Sequence, residues 1–311
     1  MAGTFALFAG TANAALAAAV ARDLAVGLSD CAVERFPDGE LTVRLLEPVR
    51  GKEVFLLQPT GPPVNDHLIE LLAFADACRR AAAARITAVV PYFGYARADR
   101  RGGRREPITA SLVADLLQAA GVQHVVTVDL HTPQAEGFFH CPVDSLTAVS
   151  TLCAALRDWP ARDAVVVAPD AGRVPMATRY AQRLGTDLAV LHKRRLSGTE
   201  TVVTHLVGDV RDRRCLLVDD IVATGGTIAT SAATLREARA RPELVVVATH
   251  GLLLPGARDR LGRAGVQEVV VTDTVAVPER DWPALRVVSV APLLAAALRR
   301  FLADESLSDL Y

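Results

Sequence analysis

The chain has 311 residues, of which 51% are hydrophobic and only 5% aromatic, and its formal net charge is -1. The length favours two domains, and the composition predicts aliphatic cores typical of buried parallel sheets covered by helices. The small net charge argues against a nucleic-acid-binding or membrane-binding surface. Five widely spaced cysteines without a CxxC pair argue against a disulfide framework or a zinc site, and they favour reduced thiols in a cytoplasmic protein.

The N-terminal segment is apolar, and its Ala12–Ala14 stretch has the form of a signal-peptide cleavage site. It lacks a basic segment, however, and Gly10 and Asn13 interrupt the apolar run. We therefore predict a strand over Thr4–Phe8, a glycine turn and an alanine-rich helix. No stretch is long and apolar enough to predict a transmembrane helix.

Short β-branched segments then alternate with Ala- and Leu-rich segments along the chain, which predicts βαβ units and parallel sheets. The predicted strands are Val54–Gln58, Ile86–Val90, Val125–Asp129, Val165–Ala168, Cys215–Asp219, Leu244–Thr249 and Val269–Thr272. The predicted helices lie near residues 65–84, 107–120, 145–157, 174–184, 227–240 and 292–302. Because ligands of such folds gather beyond the carboxyl ends of strands, the residues that follow each strand are the candidates for function.

The strongest local pattern lies between Cys215 and Thr227, where an apolar strand delivers Asp219 and Asp220 to the small-residue stretch Thr224–Thr227. Glycines let a backbone approach an anion closely, and the start of a helix favours a phosphate. Carboxylates are good acceptors for the vicinal hydroxyls of a sugar. The segment therefore predicts a sugar-phosphate site, against the alternative of a plain strand–turn–helix junction with solvated carboxylates.

Three further segments carry charged residues after strand ends. Five arginines within Arg97–Arg105 would repel one another unless an anion lay among them, so we predict a triphosphate site rather than a solvated basic loop. The stretch Asp129–His131, together with Asp170, could hold a hard cation, although such residues also serve as simple hydrogen-bonding groups. The cations Lys193–Arg195 precede a polar, Gly-containing stretch, which is typical of a lid over a phosphoryl-transfer site and also of an exposed hairpin.

Together these segments resemble the ribose-phosphate pyrophosphokinase family, in a divergent branch, over nearly the whole chain. The matching stretches, in family order, are Arg35–Glu40 (FSDGE-type), Asn65–Leu71 (NDNLMEL), Asp76–Ala81 (DALRRA), Pro91–Arg101 (PYFGYARQDR), Thr127–Phe139 (DLH…GFF) and the sugar-phosphate loop Asp219–Thr227.

The resemblance implies an α/β protein with two similar type I phosphoribosyltransferase-like domains, each a mainly parallel sheet flanked by helices. Residues 1–145 would form the ATP side, joined by the C-terminal helix 292–311, and residues 146–291 would carry the ribose 5-phosphate loop. The implied reaction moves the β,γ-diphosphate of ATP to the 1-hydroxyl of ribose 5-phosphate, with Mg²⁺ as cofactor, in a cytoplasmic homo-oligomer (dimer or hexamer).

The resemblance also implies a role for each site residue. The ATP-binding residues would be Phe36, Asp38, Glu40, Arg97, Asp99, Arg100 and His131. The ribose 5-phosphate-binding residues would be Asp219, Asp220, Thr224, Gly225, Gly226 and Thr227. His131 and Asp170 would serve the Mg²⁺–ATP site, and Lys193 and Arg195 would contact the transferring group.

Three positions depart from the family pattern. Ala98 replaces a common Gln, Ala223 replaces a common Asp, and Arg173 interrupts the usual DxGG stretch after Asp170. Two alternatives therefore stay open: a non-catalytic regulatory homologue that assembles with active subunits, and a purine phosphoribosyltransferase, whose DDxxATGGT loop is similar.

Overall fold

The computed structural model describes residues 5–195, 201–277 and 281–311, and it describes only the backbone of residues 193–195 and 201–204. Contacts divide the chain into two units. The first contains the residues up to Thr147, Thr274–Ala276 and Ser289–Tyr311, and the second contains Ala148–Asp273 and Val277–Val288. No helix of the described ranges has the length and apolarity that a bilayer span requires.

The elements alternate along the chain as the sequence predicts. Up to Leu146 they are β1 (Phe5–Ala9), α1 (Ala14–Leu24), β2 (Cys31–Arg35), β3 (Leu41–Leu45), β4 (Glu53–Leu57), α2 (Val64–Arg80), β5 (Arg85–Val90), α3 (Thr109–Ala120), β6 (His124–Val128) and β7 (Val143–Leu146). The later elements are α4 (Val149–Ala155), β8 (Ala164–Ala168), α5 (Val174–Leu184), β9 (Asp187–Arg195), β10 (Thr201–Val207), β11 (Arg214–Val222), α6 (Gly226–Glu237), β12 (Leu244–Gly251), α7 (Ala257–Arg263), β13 (Val266–Thr272), β14 (Leu285–Val288) and α8 (Ala291–Leu302).

The first unit is built on a parallel sheet in the order β1-β4-β5-β6-β7. Its core is aliphatic with a few phenylalanines, and α2 and α3 contribute Leu71 and Leu117 to it. The hairpin β2–β3 forms a separate antiparallel pair, with Cys31 opposite Leu45. Helix α8 packs against α1, where Arg299 Nη2 donates to the Asp23 carbonyl at 2.7 Å.

The second unit is built on a larger sheet in the order β10-β9-β8-β11-β12-β13-β14. All its pairs are parallel except β9–β10, which forms an antiparallel hairpin. Every residue of β8 and of β12 is buried, as expected for interior strands of a parallel sheet. Valine is the commonest residue at these positions because a β-branched side chain packs well on a pleated surface.

The predicted strands all exist, whereas the segment near residue 145 was assigned incorrectly. A helix was predicted over 145–157, but Val143–Leu146 pairs with β6 as a strand, and α4 covers only Val149–Ala155. The periodicity of an apolar run this short does not distinguish a strand from a helix. The edge or hairpin strands β2, β3, β10 and β14 were absent from the prediction, because such strands lack a continuous apolar run.

A buried carboxylate closes the turn after β1. Glu70 of α2 is fully buried, and its two oxygens accept hydrogen bonds from Thr11 N and Thr11 Oγ1, both at 2.6 Å. Gln58 Oε1 accepts from Ala12 N at 3.0 Å, so side chains satisfy successive donors of this turn. Arg35 lies 3.8 Å from Glu70 and supplies a nearby countercharge. This network replaces the solvent that would otherwise bind the turn's N–H groups.

The C-terminal residues are attached to the edge strand β7. Tyr311 Oη donates to Asp144 Oδ1, and His124 Nε2 lies 2.6 Å from Asp144 Oδ2. Burial raises the pKa of Asp144, but the hydrogen bonds with His124 and Tyr311 outweigh burial and hold this pKa below its ordinary value. Thr147 N also donates to the Leu310 carbonyl at 3.0 Å, so the attachment uses the backbone as well.

We expect Glu70→Gln to destabilise the first unit. An amide retains one acceptor oxygen but directs N–H groups at the donors of Thr11, so the cost is about 2 kcal/mol, within the range for hydrogen bonds to charged groups. Thermal unfolding should show a drop of roughly 4–8 °C. The matched control is Glu34→Gln, which alters an exposed carboxylate 3.9 Å from Arg44 and should leave the midpoint almost unchanged. Equal shifts for both variants would contradict the role of Glu70.

We expect Tyr311→Phe to destabilise the protein in a pH-dependent way. Because the pKa of Asp144 is lower in the folded than in the unfolded state, its stabilisation is present above the unfolded pKa and is lost as the pH falls through the folded value. The variant should melt about 2–4 °C lower at neutral pH, and the difference should shrink as the pH falls below the ordinary Asp pKa of about 4. In an Asp144→Asn background the difference should not vary with pH; a pH-dependent difference there would assign the effect to another group.

Candidate functional site

The carboxyl ends of neighbouring parallel strands bring the candidate residues of the second unit to one sheet edge. Strands β9, β8, β11 and β12 are adjacent in this order and parallel. Asp170 follows β8, the backbone of Lys193 and Arg195 ends β9, and the stretch from Asp219 onward ends β11. This edge is where open α/β sheets bind their ligands.

The acidic pair lies inside β11. The strand continues to Val222, whereas the prediction ended it at Asp219, and both carboxylates are buried, with Asp219 8% and Asp220 2% exposed. The alternative of solvated carboxylates is therefore wrong. Asp220 N donates to Asp219 Oδ1 at 2.9 Å, which turns the first carboxylate back over the chain.

A buried arginine faces both carboxylates. Arg173, 8% exposed, places Nη1 3.1 Å from Asp220 Oδ2 and Nε 4.0 Å from Asp219 Oδ1. Burial and the charge of Asp220 raise the pKa of Asp219 well above its ordinary value, while the Arg173 guanidinium opposes this rise. The pair therefore binds a proton more readily than two exposed carboxylates do, and Arg173 limits that tendency.

The glycine turn after β11 is shaped by α7. Gly225 has a left-handed φ of +74°, and a Cβ added there would lie 3.1 Å from Leu261 Cδ2. Arg260 Nη1 donates to the Thr224 carbonyl at 2.6 Å, which holds the turn from outside. Helix α6 then begins at Gly226, with Thr224 and Thr227 exposed beside its first N–H groups. The first turn of a helix has N–H groups without intrahelical partners and a favourable dipole, so this turn can bind a phosphate.

Asp170 begins the short turn that leads into α5. Its half-buried carboxylate accepts from Arg173 N at 3.2 Å and thereby caps that turn. Because Arg173 also contacts the acidic pair, one residue connects the segment after β8 with β11. The side chains of Lys193 and Arg195 and the stretch 196–200 lie outside the described structure, so their lid role stays a prediction.

The first unit places the arginine-rich segment in a long loop between β5 and α3. Arg97 and Arg100 are exposed, and Asp99 Oδ2 accepts from Thr132 Oγ1 at 2.7 Å. This bond joins the loop after β5 to the loop after β6, one residue beyond His131. Within the arginine-rich segment, Glu106 Oε2 accepts from Gly102 N and Gly103 N, both at 2.8 Å. A carboxylate of the same chain thus accepts hydrogen bonds from this backbone.

The remaining predicted residues of the first unit occupy two places. His131 is half-buried and lies in the loop after β6, two residues after Asp129 in sequence. Asp129 Oδ1 accepts a hydrogen bond from Thr147 Oγ1 at 2.8 Å. Phe36, 46% exposed, lies with Asp38 and Glu40 in the turn of the β2–β3 hairpin, where Asp38 Oδ1 accepts from Glu40 N at 3.1 Å. His131 and Asp170 belong to different units, so their joint service of a metal stays a prediction.

Sequence reasoning missed the roles of three residues. It named Arg173 as a departure from the family's DxGG stretch, and the structure buries this residue against the acidic pair. Its position three residues after Asp170, between a strand and a helix, was the available signal. Arg260 and Thr132 carried none, because Arg260 is 36 residues from Thr224 and Thr132 is 33 residues from Asp99 in sequence.

The two α/β units are built on mainly parallel sheets, with arginines, buried acids and a glycine turn near their strand ends, and this combination suits proteins that bind phosphorylated compounds. Comparison with known proteins identifies the family. Residues 5–121 match the profile described as the N-terminal domain of ribose phosphate pyrophosphokinase, and residues 200–311 match the phosphoribosyl synthetase-associated domain.

Full-length relatives agree with these profiles. The ribose-phosphate pyrophosphokinase of Campylobacter jejuni is 43% identical over 98% of both chains, and that of Maricaulis maris is 45% identical over 98% of this chain and 99% of its own. The crystal structure of phosphoribosylpyrophosphate synthetase from Mycobacterium smegmatis superimposes with a TM-score of 0.90, at 43% identity, over 97% of this chain and 99% of that one. The chain belongs to the ribose-phosphate pyrophosphokinase family, whose members are diphosphotransferases. The predicted family, enzyme class and α/β fold class are confirmed.

We expect Gly225→Ala to distort the turn. A left-handed φ costs a residue with a Cβ about 1–2 kcal/mol, and the new methyl group would press on Leu261. The variant should show a lower thermal midpoint and weaker binding of ribose 5-phosphate by calorimetry. Gly226→Ala is the matched control for stability, since its added Cβ would make an ordinary 3.6 Å contact with Thr224 Oγ1. Equal destabilisation by both changes would show that the left-handed turn is not the cause.

Proposed function

We propose that this chain transfers the β,γ-diphosphate of ATP to the 1-hydroxyl of ribose 5-phosphate, which yields AMP and 5-phosphoribosyl 1-diphosphate. The observation that carries the proposal is the buried acidic pair of β11, followed directly by the left-handed glycine turn that opens α6. This arrangement offers carboxylates to sugar hydroxyls and N–H groups to a phosphate within one segment. Family membership supplies the reaction class.

In the proposed complex the 5-phosphate lies on the Thr224–Thr227 turn, and Asp219 and Asp220 accept hydroxyls of the ribose. The arginine-rich loop with Arg97, Asp99 and Arg100 binds the triphosphate, and the hairpin residues Phe36, Asp38 and Glu40 contact the adenosine. The 1-hydroxyl oxygen attacks the β-phosphorus in line and its proton is released, while the bond to the leaving AMP oxygen breaks. The protein contributes positioning and positive charge, with Lys193 and Arg195 on the transferring group.

Mg²⁺ is the proposed cofactor, and the donor set of this chain suits it. Mg²⁺ usually takes only one or two carboxylates from a protein and completes its coordination with water and substrate phosphates. Within the described residues, no group of three or more His, Cys, Asp or Glu side chains could hold a metal by itself. Such a chain suits a cation that arrives with the nucleotide, with His131 and Asp170 as the proposed protein contacts. When bound, Mg²⁺ would neutralise charge on the diphosphate.

The proposed location is the cytoplasm, in a homo-oligomer. The thiols support a reducing compartment, because Cys31, Cys78, Cys141, Cys153 and Cys215 are all free cysteines. Burial raises the pKa values of Cys78 and Cys215 to about 12. Burial also raises the pKa of Cys153 to about 11. Thiols with such pKa values are protonated at neutral pH and therefore unreactive.

The first experiment is to incubate the purified chain with ATP, Mg²⁺ and ribose 5-phosphate and to quantify AMP and 5-phosphoribosyl 1-diphosphate. Equimolar products that require both the metal and the sugar phosphate support the proposal, despite Ala98 and Ala223. A folded chain without either product would instead be the regulatory homologue, and the next step would be a search for a catalytic partner subunit.

We expect Lys193→Ala to lower turnover by about 10³-fold or more, the range for a cation on a transferring phosphoryl group. Affinity for ribose 5-phosphate should stay unchanged, because the sugar-phosphate turn does not include Lys193. The chain has only one other lysine, Lys52, so Lys52→Ala is the natural control and should retain full turnover. Unchanged turnover in Lys193→Ala would remove Lys193 from the reaction.

A further inference from the structure

Arg173 is fixed by both its backbone and its side chain. It ends the short turn after β8, where its N–H donates to Asp170 Oδ1 and lies 3.2 Å from the Asp170 carbonyl as well. Its guanidinium is buried and faces two consecutive acidic residues of β11. Because every residue except proline has a backbone N–H, replacing the Arg173 side chain with that of Gln or Lys tests the guanidinium without removing the Asp170 cap.

The acidic pair needs such a partner for geometric reasons. The two carboxylates interact with each other through their charges and a side-chain hydrogen bond, so a partner that contacts both of them can fix their orientation. A planar guanidinium presents donors in a fixed fork and can engage two acceptors at once. Arg173 Nη1 lies within hydrogen-bonding distance of Asp220, at 3.1 Å, and Nε lies 4.0 Å from Asp219, where the attraction is electrostatic, so one group acts on both carboxylates.

The pair also needs a countercharge. Two buried carboxylates repel each other, and burial favours their protonated forms; these are the causes that raise the pKa of Asp219. A protonated carboxyl group is a poorer acceptor for a sugar hydroxyl than a carboxylate. The cation at Arg173 therefore influences both the direction and the charge of the two acceptors.

We propose that Arg173 is a positioning residue for ribose 5-phosphate, which holds Asp219 and Asp220 in the orientation that the ribose hydroxyls meet. This inference rests on the proposed function of the same site. It distinguishes the two substrates, because the proposed triphosphate residues Arg97, Asp99 and Arg100 belong to the other unit. Loss of the guanidinium should therefore weaken the binding of ribose 5-phosphate more than the binding of ATP.

The test measures binding of ribose 5-phosphate and of Mg²⁺–ATP separately by calorimetry, alongside steady-state KM and kcat, on the full chain. Arg173→Gln should lower the affinity for ribose 5-phosphate by about 10- to 100-fold, which is the range for a lost hydrogen bond to a charged group. The affinity for ATP should stay nearly unchanged. Arg173→Lys keeps the charge without the fork and should show a smaller loss. Arg179→Gln, an exposed arginine on α5, is the matched control and should bind both ligands as the unaltered chain does.

A double variant separates positioning from general damage. Once Asp219→Asn has removed one charge of the pair, adding Arg173→Gln should cost less than it does in the unaltered chain. The proposal would be overturned if the fold-loss of ribose 5-phosphate affinity in the double variant equalled the product of the two single losses. It would also be overturned if Arg173→Gln lowered the affinities for both substrates equally. If Arg173→Gln does not fold, Arg173→Lys decides, because unchanged ribose 5-phosphate affinity in that variant overturns the proposal.

Binding and turnover also separate this inference from the proposed function. A chain that binds ribose 5-phosphate in an Arg173-dependent way but forms no AMP retains the positioning role and loses the proposed reaction. A chain that forms both products while its Arg173 variants bind ribose 5-phosphate normally retains the reaction and loses the positioning role.

Discussion

Burial of parallel strands is the constraint on which the rest of this structure depends. Strands such as β8 and β12 are buried along their whole length, so the sheet interior excludes charge unless it is paired. Polar chemistry is thereby confined to the strand ends and the loops that follow them. The parallel arrangement collects these ends at one edge, which is why Asp170 and the stretch beginning at Asp219 come together although they are far apart in sequence.

The buried acids of β11 relax this constraint. Two carboxylates enter the strand itself, and a cation on a neighbouring element compensates them. A buried charge group of this kind is weak support for stability, because its desolvation offsets much of its attraction. Its presence at a sheet edge beside an exposed glycine turn is better explained by ligand binding than by folding.

The two units treat the donors of their turns differently. After β1, Glu70 and Gln58 of the protein satisfy N–H groups at the start of the helical segment, and in the arginine-rich loop Glu106 does so for Gly102 and Gly103. At the turn before α6, Thr224 and Thr227 are exposed and α7 supports the turn from outside through Arg260 and Leu261. Backbone N–H groups of turns thus bind side-chain acceptors of the protein in the first unit, whereas in the second unit they suit the phosphate of a ligand.

The sequence by itself determined the alternation of strands and helices, the family, and the segments that carry the chemistry. These features are local: an apolar run such as Val165–Ala168 or a glycine turn after Asp219–Asp220 is written in consecutive residues. Hairpin and edge strands escaped prediction because pairing across space, rather than periodicity, makes them strands, as β7 illustrates beside β6.

Only the tertiary structure decided which groups face one another. It buried Arg173 against the acidic pair, joined Asp99 to Thr132, and placed Arg260 on the Thr224 carbonyl. Such contacts depend on strand order and on helix packing, which bring together residues separated by tens of positions. Burial then gives those contacts their electrostatic consequence, since the same carboxylates exposed to water would lack the raised pKa of Asp219.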